Sequence, residues 1–160
     1  MSSIIVNLAT LHYSPIILQS VMSSFYHKIE PQKNNILLSY LVIPLFSNSK
    51  TFSFFKNAKR STNTGKLTST LITFSNKKEN IIGLSERIFE FKELTNSCIQ
   101  ILIDSKAIVI NENMSIELSN TEATLNTLDE KKIKSISNMA EILTEFDISS
   151  TFRILGINKL

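Results

Sequence analysis

The segment Leu84-Ser-Glu-Arg-Ile-Phe-Glu-Phe-Lys-Glu-Leu-Thr-Asn-Ser-Cys-Ile-Gln-Ile-Leu102, followed by Ala107-Ile-Val-Ile-Asn-Glu-Asn-Met-Ser-Ile-Glu-Leu118, decides the fold class. Apolar positions recur at Ile81, Leu84, Ile88, Phe91, Leu94 or Thr95, Cys98 and Leu102, always three or four apart. That is the period of one buried helical face. It predicts one long helix, or two end to end with a break near residues 93–96. The second segment changes period. Ile108 and Ile110 alternate on one strand and Ile116 and Leu118 on the other, with Asn111-Glu-Asn113 as the turn, so residues 107–118 are expected to form a β-hairpin. A helix running straight into a two-stranded hairpin is the closing arrangement of a winged-helix domain. The expected fold is mainly α, a compact helical domain with one small β-hairpin, winged-helix-like in form.

Upstream, residues 1–13 lack helical spacing and read as an extended arm. Ser14-Pro15 supplies an N-cap and a proline at the first helical position. Leu18, Val21, Met22, Phe25 and Ile29 then mark an amphipathic helix over 15–29, stopped by Pro31. Asn34 or Asn35 is placed to cap a helix through 36–43 that is apolar nearly all round, and Pro44 should kink or end it near Tyr40. Residues 50–56 suit a short helix with Phe52 and Phe55 on one side. Residues 57–66 read as loop, and 67–75 as a further helix.

Downstream, 119–129 is polar and irregular. Ile133, Ile136, Ala140, Leu143 and Phe146 space out another amphipathic helix, and Asp147 caps a last one over 148–155 that Gly156 closes. A helix of two turns is not stable alone, so its apolar residues Ile148, Phe152 and Leu155 must lie against the core or a partner, which makes them a candidate docking face. No internal repeat or long linker divides the chain, and residues 1–160 read as one domain.

The composition narrows the function classes. With 160 residues and 42% hydrophobic content the chain is long enough to bury a core, and three Gly and three Pro are too few for a turn-rich β-sandwich. The longest apolar run, 36–46, is interrupted by Ser39 and Pro44, so no membrane span is expected. The start, Met1-Ser-Ser-Ile-Ile-Val-Asn7, does not read as a signal peptide, and one cysteine, Cys98, cannot form an internal disulfide. Together these point to a cytoplasmic protein.

Charge is unevenly distributed. Between residues 50 and 78 there are seven basic side chains and no acidic one: Lys50, Lys56, Lys59, Arg60, Lys66, Lys77 and Lys78. From Glu79 onward thirteen acidic residues face eight basic ones. Lys56, Lys59, Arg60, Lys66, Lys77 and Lys78 are therefore candidate contacts for DNA or an acidic partner, with a solvated loop as the alternative. Phe52, Phe54, Phe55 and Phe74 are interleaved with these charges. That pattern occurs in single-strand binders, but phenylalanine at helical spacing is more often core.

The residues that most chemistry needs are missing. His12, His27 and Cys98 cannot supply the four close ligands of a zinc site, and no catalytic, metal or cofactor residues are expected. Asn63-Thr-Gly-Lys66 carries the Gly-Lys pair of a phosphate loop, but Leu67 replaces the metal-binding hydroxyl and Arg60 the first glycine. Glu90-Phe-Lys92 looks like the end of a nuclease motif, yet it lies in a helical pattern with no acidic partner on an upstream strand. The chain reads as a non-enzyme.

Several stretches in order resemble the middle component of bacterial three-component ABC systems. They are Ser14-Pro15, Leu41-Val-Ile-Pro-Leu45, Lys59-Arg-Ser-Thr62 through Leu67 and Thr73-Phe74, and Leu84-Ser-Glu-Arg87 with Leu94-Thr95 and Cys98-Ile-Gln-Ile-Leu102. The short hairpin, Asn138-Met-Ala-Glu-Ile-Leu143 and Phe152-Arg-Ile-Leu-Gly-Ile157 complete the series. The resemblance covers nearly the whole chain. It implies a non-catalytic adaptor that links an SMC- or RecN-like ABC ATPase to a third, effector subunit in defence against phages or plasmids, with DNA reached through the complex. The rival reading from the residues alone is a stand-alone winged-helix DNA-binding regulator.

Overall fold

A computed structural model describes residues 13–119 and 128–159 of the chain. The arm expected at 1–13 lies outside the described residues apart from Tyr13, as does most of the irregular 119–129 segment. The fold is mainly helical with one antiparallel hairpin, and its buried apolar side chains form one cluster.

Helix α1, Pro15–Tyr26, is the central element and packs against α7 (Lys92–Asp104) and α8 (Glu130–Leu143). The Ser14 hydroxyl accepts the Ile16 N–H at 3.3 Å and Pro15 occupies the first turn, as expected. The spacing suggests an amphipathic helix, yet everything from Ser20 to Tyr26 is buried. Small Ser20, Ser23 and Ser24 sit on the faces that the apolar pattern leaves out, which lets neighbouring helices approach from more than one side. The helix stops at Tyr26 rather than Ile29. Glu30 precedes Pro31 and is biased out of the helical region, so the chain leaves through a turn.

The second apolar segment departs further from expectation. Asn35–Leu38 forms a 3₁₀ turn, and α2 runs Ser39–Ser47 with Pro44 inside it. Pro44 does not end the helix near Tyr40. Leu41, Val42, Ile43, Pro44 and Leu45 are all buried, and their packing holds the turn whose backbone donor proline lacks. Neither asparagine caps with its side chain: Asn34 takes a left-handed φ of 63°, and Asn35 is fully buried.

Helix α3, Ser49–Lys56, follows Asn48, whose side chain accepts the Lys50 and Thr51 N–H groups. The loop expected at 57–66 is present. The helix expected over 67–75 shrinks to α4, Leu71–Ser75, because Thr70 and Thr73 form a reciprocal capping box that fixes its start. A single turn, α5 (Lys78–Ile81), leads through left-handed Gly83 into α6, Leu84–Glu90.

The long periodic segment is thus divided, and the break before α7 falls at Phe91 (φ −90°, ψ 3°), ahead of the expected 93–96. The apolar steps carry on across it, so the break leaves no mark in the pattern. Strands β1, Ile108–Ile110, and β2, Ile116–Leu118, pair in register with Ile110 opposite Ile116. Ile108 and Ile116 face the core while Val109 and Glu117 face outward, the alternation anticipated. The hairpin lies on the core, where β2 packs against α1.

Asp129 caps α8 and Asp147 caps α9, Ile148–Ile154, which Gly156 follows at φ 72°. Both caps come from side-chain oxygens accepting N–H groups three residues on, Lys132 at 2.9 Å and Ser150 at 3.0 Å.

Candidate functional site

The basic stretch is dispersed by the fold over several surfaces. On α3, Lys50, Ser53, Phe54 and Asn57 occupy positions i, i+3, i+4 and i+7 and so share one face, while Thr51 and Phe55 turn inward. That face forms one wall of a groove of about 490 Å³. Lys59 and Ser69 from the loop, and Lys77, Glu79 and Asn80 from the α4–α5 turn, complete it. The Lys77 ammonium lies 5.2 Å from the centre of the Phe54 ring, a cation–π contact. Lys50 reaches Glu79 at 3.9 Å across the groove.

The other candidate cations lie elsewhere. The Arg60 guanidinium donates to Glu141 at 2.8 Å, to the Asn138 side chain at 2.9 Å and to the Gly65 carbonyl at 3.0 Å. Asn138 in turn donates to the Phe55 carbonyl at 2.8 Å, so Arg60 fastens the loop to α8 and the end of α3. Lys66 borders a shallow hollow beside Glu141 and Glu145. Lys78 is exposed at the start of α5, beside Ile82 and Gly156. Lys56 is half-exposed at the end of α3. Of the six candidates, only Lys59 and Lys77 line the groove. They are joined there by Lys50, which the charge count includes but which only the helical spacing of α3 places with them.

The phenylalanines among these charges are core or close to it. Phe55 and Phe74 are fully buried and stacked at 5.0 Å, and Phe54 meets Phe74 edge-on at 5.1 Å. Phe52 and Phe54 are half-buried, with Phe52 set edge-on to Phe46 at 5.5 Å. The candidate docking residues also turn inward: Ile148 and Phe152 are 9% exposed and Leu155 1%. They belong to the core cluster, and the rims of Ile148 and Phe152 border a groove of about 570 Å³ with Leu37 and Arg153.

Burial pushes the Cys98 thiol up to about 11, so it stays protonated at neutral pH, and its sulfur faces the Pro15 carbonyl at 3.7 Å. His27 is exposed at the end of α1, and His12 lies outside the described residues. Glu90 is exposed at the end of α6. Among the described residues no three His, Cys, Asp or Glu side chains stand close enough to hold a metal ion. The Asn63–Lys66 turn closes on itself, with the Gly65 N–H donating to Ser61 and the Ser61 N–H to Lys66. No helix among the described residues is long and apolar enough to cross a membrane.

Buried polar side chains instead hold segments to one another. Tyr26 donates to the Asn35 carbonyl and shares a hydrogen bond with Ser39, both at 2.8 Å. Burial raises its phenol well above the ordinary range, which keeps it a neutral donor. The Asn80 amide donates to the Phe74 carbonyl at 3.0 Å, and Thr151 to the Leu143 carbonyl at 3.2 Å.

Comparison with curated proteins and with solved structures finds no match. A family model does match, over residues 2–159, and its span takes in every element described above. The chain belongs to the family of the ABC-three component (ABC-3C) system Middle Component 3.

Proposed function

We propose that the protein is the non-catalytic adaptor of its system, joining an SMC- or RecN-like ABC ATPase to a third, effector subunit. The complex acts in the cytoplasm against phages or plasmids. The observation that carries this reading is the family match across residues 2–159. ATP hydrolysis and any nucleic-acid cleavage belong to the partners, and DNA is reached through the assembled complex.

The test is co-expression with the products of the adjacent genes, followed by affinity purification on this chain. A complex containing a long coiled-coil ATPase and a further subunit is expected. The isolated chain should neither hydrolyse ATP nor nick plasmid with magnesium or manganese. Turnover by the isolated chain that disappears on Glu90→Ala or Lys66→Ala would overturn the reading, as would failure of the chain to co-purify with either neighbour.

A further inference from the structure

We infer that the groove between α3 and the α4–α5 turn is the seat of an acidic peptide segment from another component of the system. The inference rests on the adaptor reading for the existence of that component, and on the groove itself for its chemistry. Lys50, Lys59 and Lys77 converge from three separate parts of the chain on one depression of about 490 Å³. Among the described residues no carboxylate pairs with Lys59 or Lys77, and the pair between Lys50 and Glu79 is long and exposed. An exposed pair of that kind adds little stability, so Lys50 is free to exchange Glu79 for an incoming carboxylate.

The walls favour a peptide over a nucleic acid. Single-strand binders stack bases on aromatic faces, but here the Lys77 ammonium lies over the Phe54 ring and the ring's neighbours are buried. Arg60, the one arginine of the basic stretch and the side chain best shaped for phosphate, is tied to Glu141. Glu79 in the wall repels a continuous polyanion. A peptide differs, because its carboxylates are spaced and its backbone N–H groups can donate to Glu79. The hydroxyl and amide side chains of the lining can bind the peptide backbone between charges. The occupant is therefore an extended segment with acidic side chains and free backbone groups.

The experiment uses the co-purified complex and the double variant Lys59→Glu/Lys77→Glu. Both side chains are exposed and the variant gives up only the contact of Lys77 with the Phe54 ring, so its melting temperature should stay within about 2–4 °C of the wild type's. Its affinity for one component should fall on the order of ten- to a hundredfold, and wild-type affinity should weaken as salt rises. Lys59→Arg/Lys77→Arg should retain binding. Carbodiimide, which couples an amine to a carboxylate in direct contact, should link Lys50, Lys59 or Lys77 to an Asp or Glu of that component. Undiminished assembly of the reversed variant, with crosslinks confined to other lysines, would overturn the inference while the adaptor reading stands. Binding of labelled single-stranded or duplex DNA that is lost in the reversed variant, with assembly intact, would overturn it in favour of nucleic acid. If the wild-type chain recruits no component, the adaptor reading fails first, and the inference with it.

Discussion

The Asn35 side-chain oxygen accepts the Ile116 backbone N–H at 2.7 Å, across 81 positions of sequence. Its amide nitrogen returns a longer bond to the Ile116 carbonyl at 3.4 Å, and the Asn35 backbone carbonyl accepts the Tyr26 hydroxyl. One fully buried asparagine thus ties the hairpin to the 3₁₀ turn through its carboxamide and the 3₁₀ turn to the end of α1 through its backbone carbonyl. Asn35→Ala removes the side-chain bonds and leaves the Ile116 N–H buried and unpaired, a cost of about 1–3 kcal/mol. Neighbouring Asn34 is exposed at φ 63°, where glycine is at ease, so Asn34→Gly should be close to neutral. Urea unfolding of the two variants should separate them clearly. Equal midpoints would show that the clamp contributes nothing.

This clamp also shows where sequence reading stops. Asn34 and Asn35 stand before an apolar run, as caps do, and no local signal separates a capping asparagine from one that reaches a strand 81 residues away. Signals contained in one turn of chain were legible: Ser14-Pro15, Asp147 and Gly156 act as their types predict. The hairpin was legible because period two survives in a strand with one buried face. The helix runs on through Pro44 instead of ending because burial of Leu41 to Leu45 outweighs a missing donor, and packing of that kind is a property of the whole molecule. A break in the periodic segment was one of two readings, and its place at Phe91 rather than 93–96 was not legible because the apolar spacing is the same on both sides of it. The charge count marked the basic stretch, but only the folded chain separates the grooved lysines from Arg60.

Lys59 and Arg60, adjacent in sequence, should respond differently to charge reversal. Lys59 faces solvent at the groove, and Lys59→Glu should leave the melting temperature nearly unchanged. Arg60→Glu sets a carboxylate against Glu141 and removes the donor to Asn138. The original pair is partly exposed, so its own contribution is at most about 1 kcal/mol, but reversal adds repulsion to its loss. Melting curves should rank Arg60→Glu below Lys59→Glu, and Glu141→Arg should restore part of the loss in the double variant. Indistinguishable single variants would mean that the tie to α8 does not hold the loop.

The caps of α8 and α9 should be visible in the pH dependence of stability. Bonds to the Ser150 hydroxyl and N–H hold the Asp147 carboxyl below its ordinary value, and the Lys132 N–H does the same for Asp129. A carboxyl depressed in the folded state stabilises fully above its unfolded value, near 3.9, and loses that contribution as pH falls through the lower folded value. Asp147→Ala should therefore melt below the wild type at neutral pH, with the gap closing as the pH drops under about 3.9. Asp147→Asn keeps a capping oxygen without the charge, and its deficit should be smaller and flatter. A gap for Asp147→Ala that stays constant across this range would sink the argument.

Phe152 decides whether the last helix belongs to the core or to a partner. It is 9% exposed and sits in the same cluster as Leu143 and Leu155, and α9 packs against α4 and the 3₁₀ turn. The Ile157 N–H returns to the Phe152 carbonyl at 3.0 Å after left-handed Gly156, so the ring and the chain end are fixed by one closing motif. Truncating a phenylalanine in such a setting costs about 3–5 kcal/mol, through lost burial and the cavity left behind. That is a large share of the roughly 5–15 kcal/mol by which a domain of this kind is folded. Phe152→Ala should thus lower the melting temperature strongly and weaken partner binding only in proportion to the unfolded fraction. Phe89, 78% exposed on α6, provides the control, because Phe89→Ala removes a ring of the same size without opening a cavity and should leave the melt near wild type. A Phe152→Ala protein that melts like the wild type yet no longer recruits a component would return α9 to the docking role, with its apolar face completed by a partner.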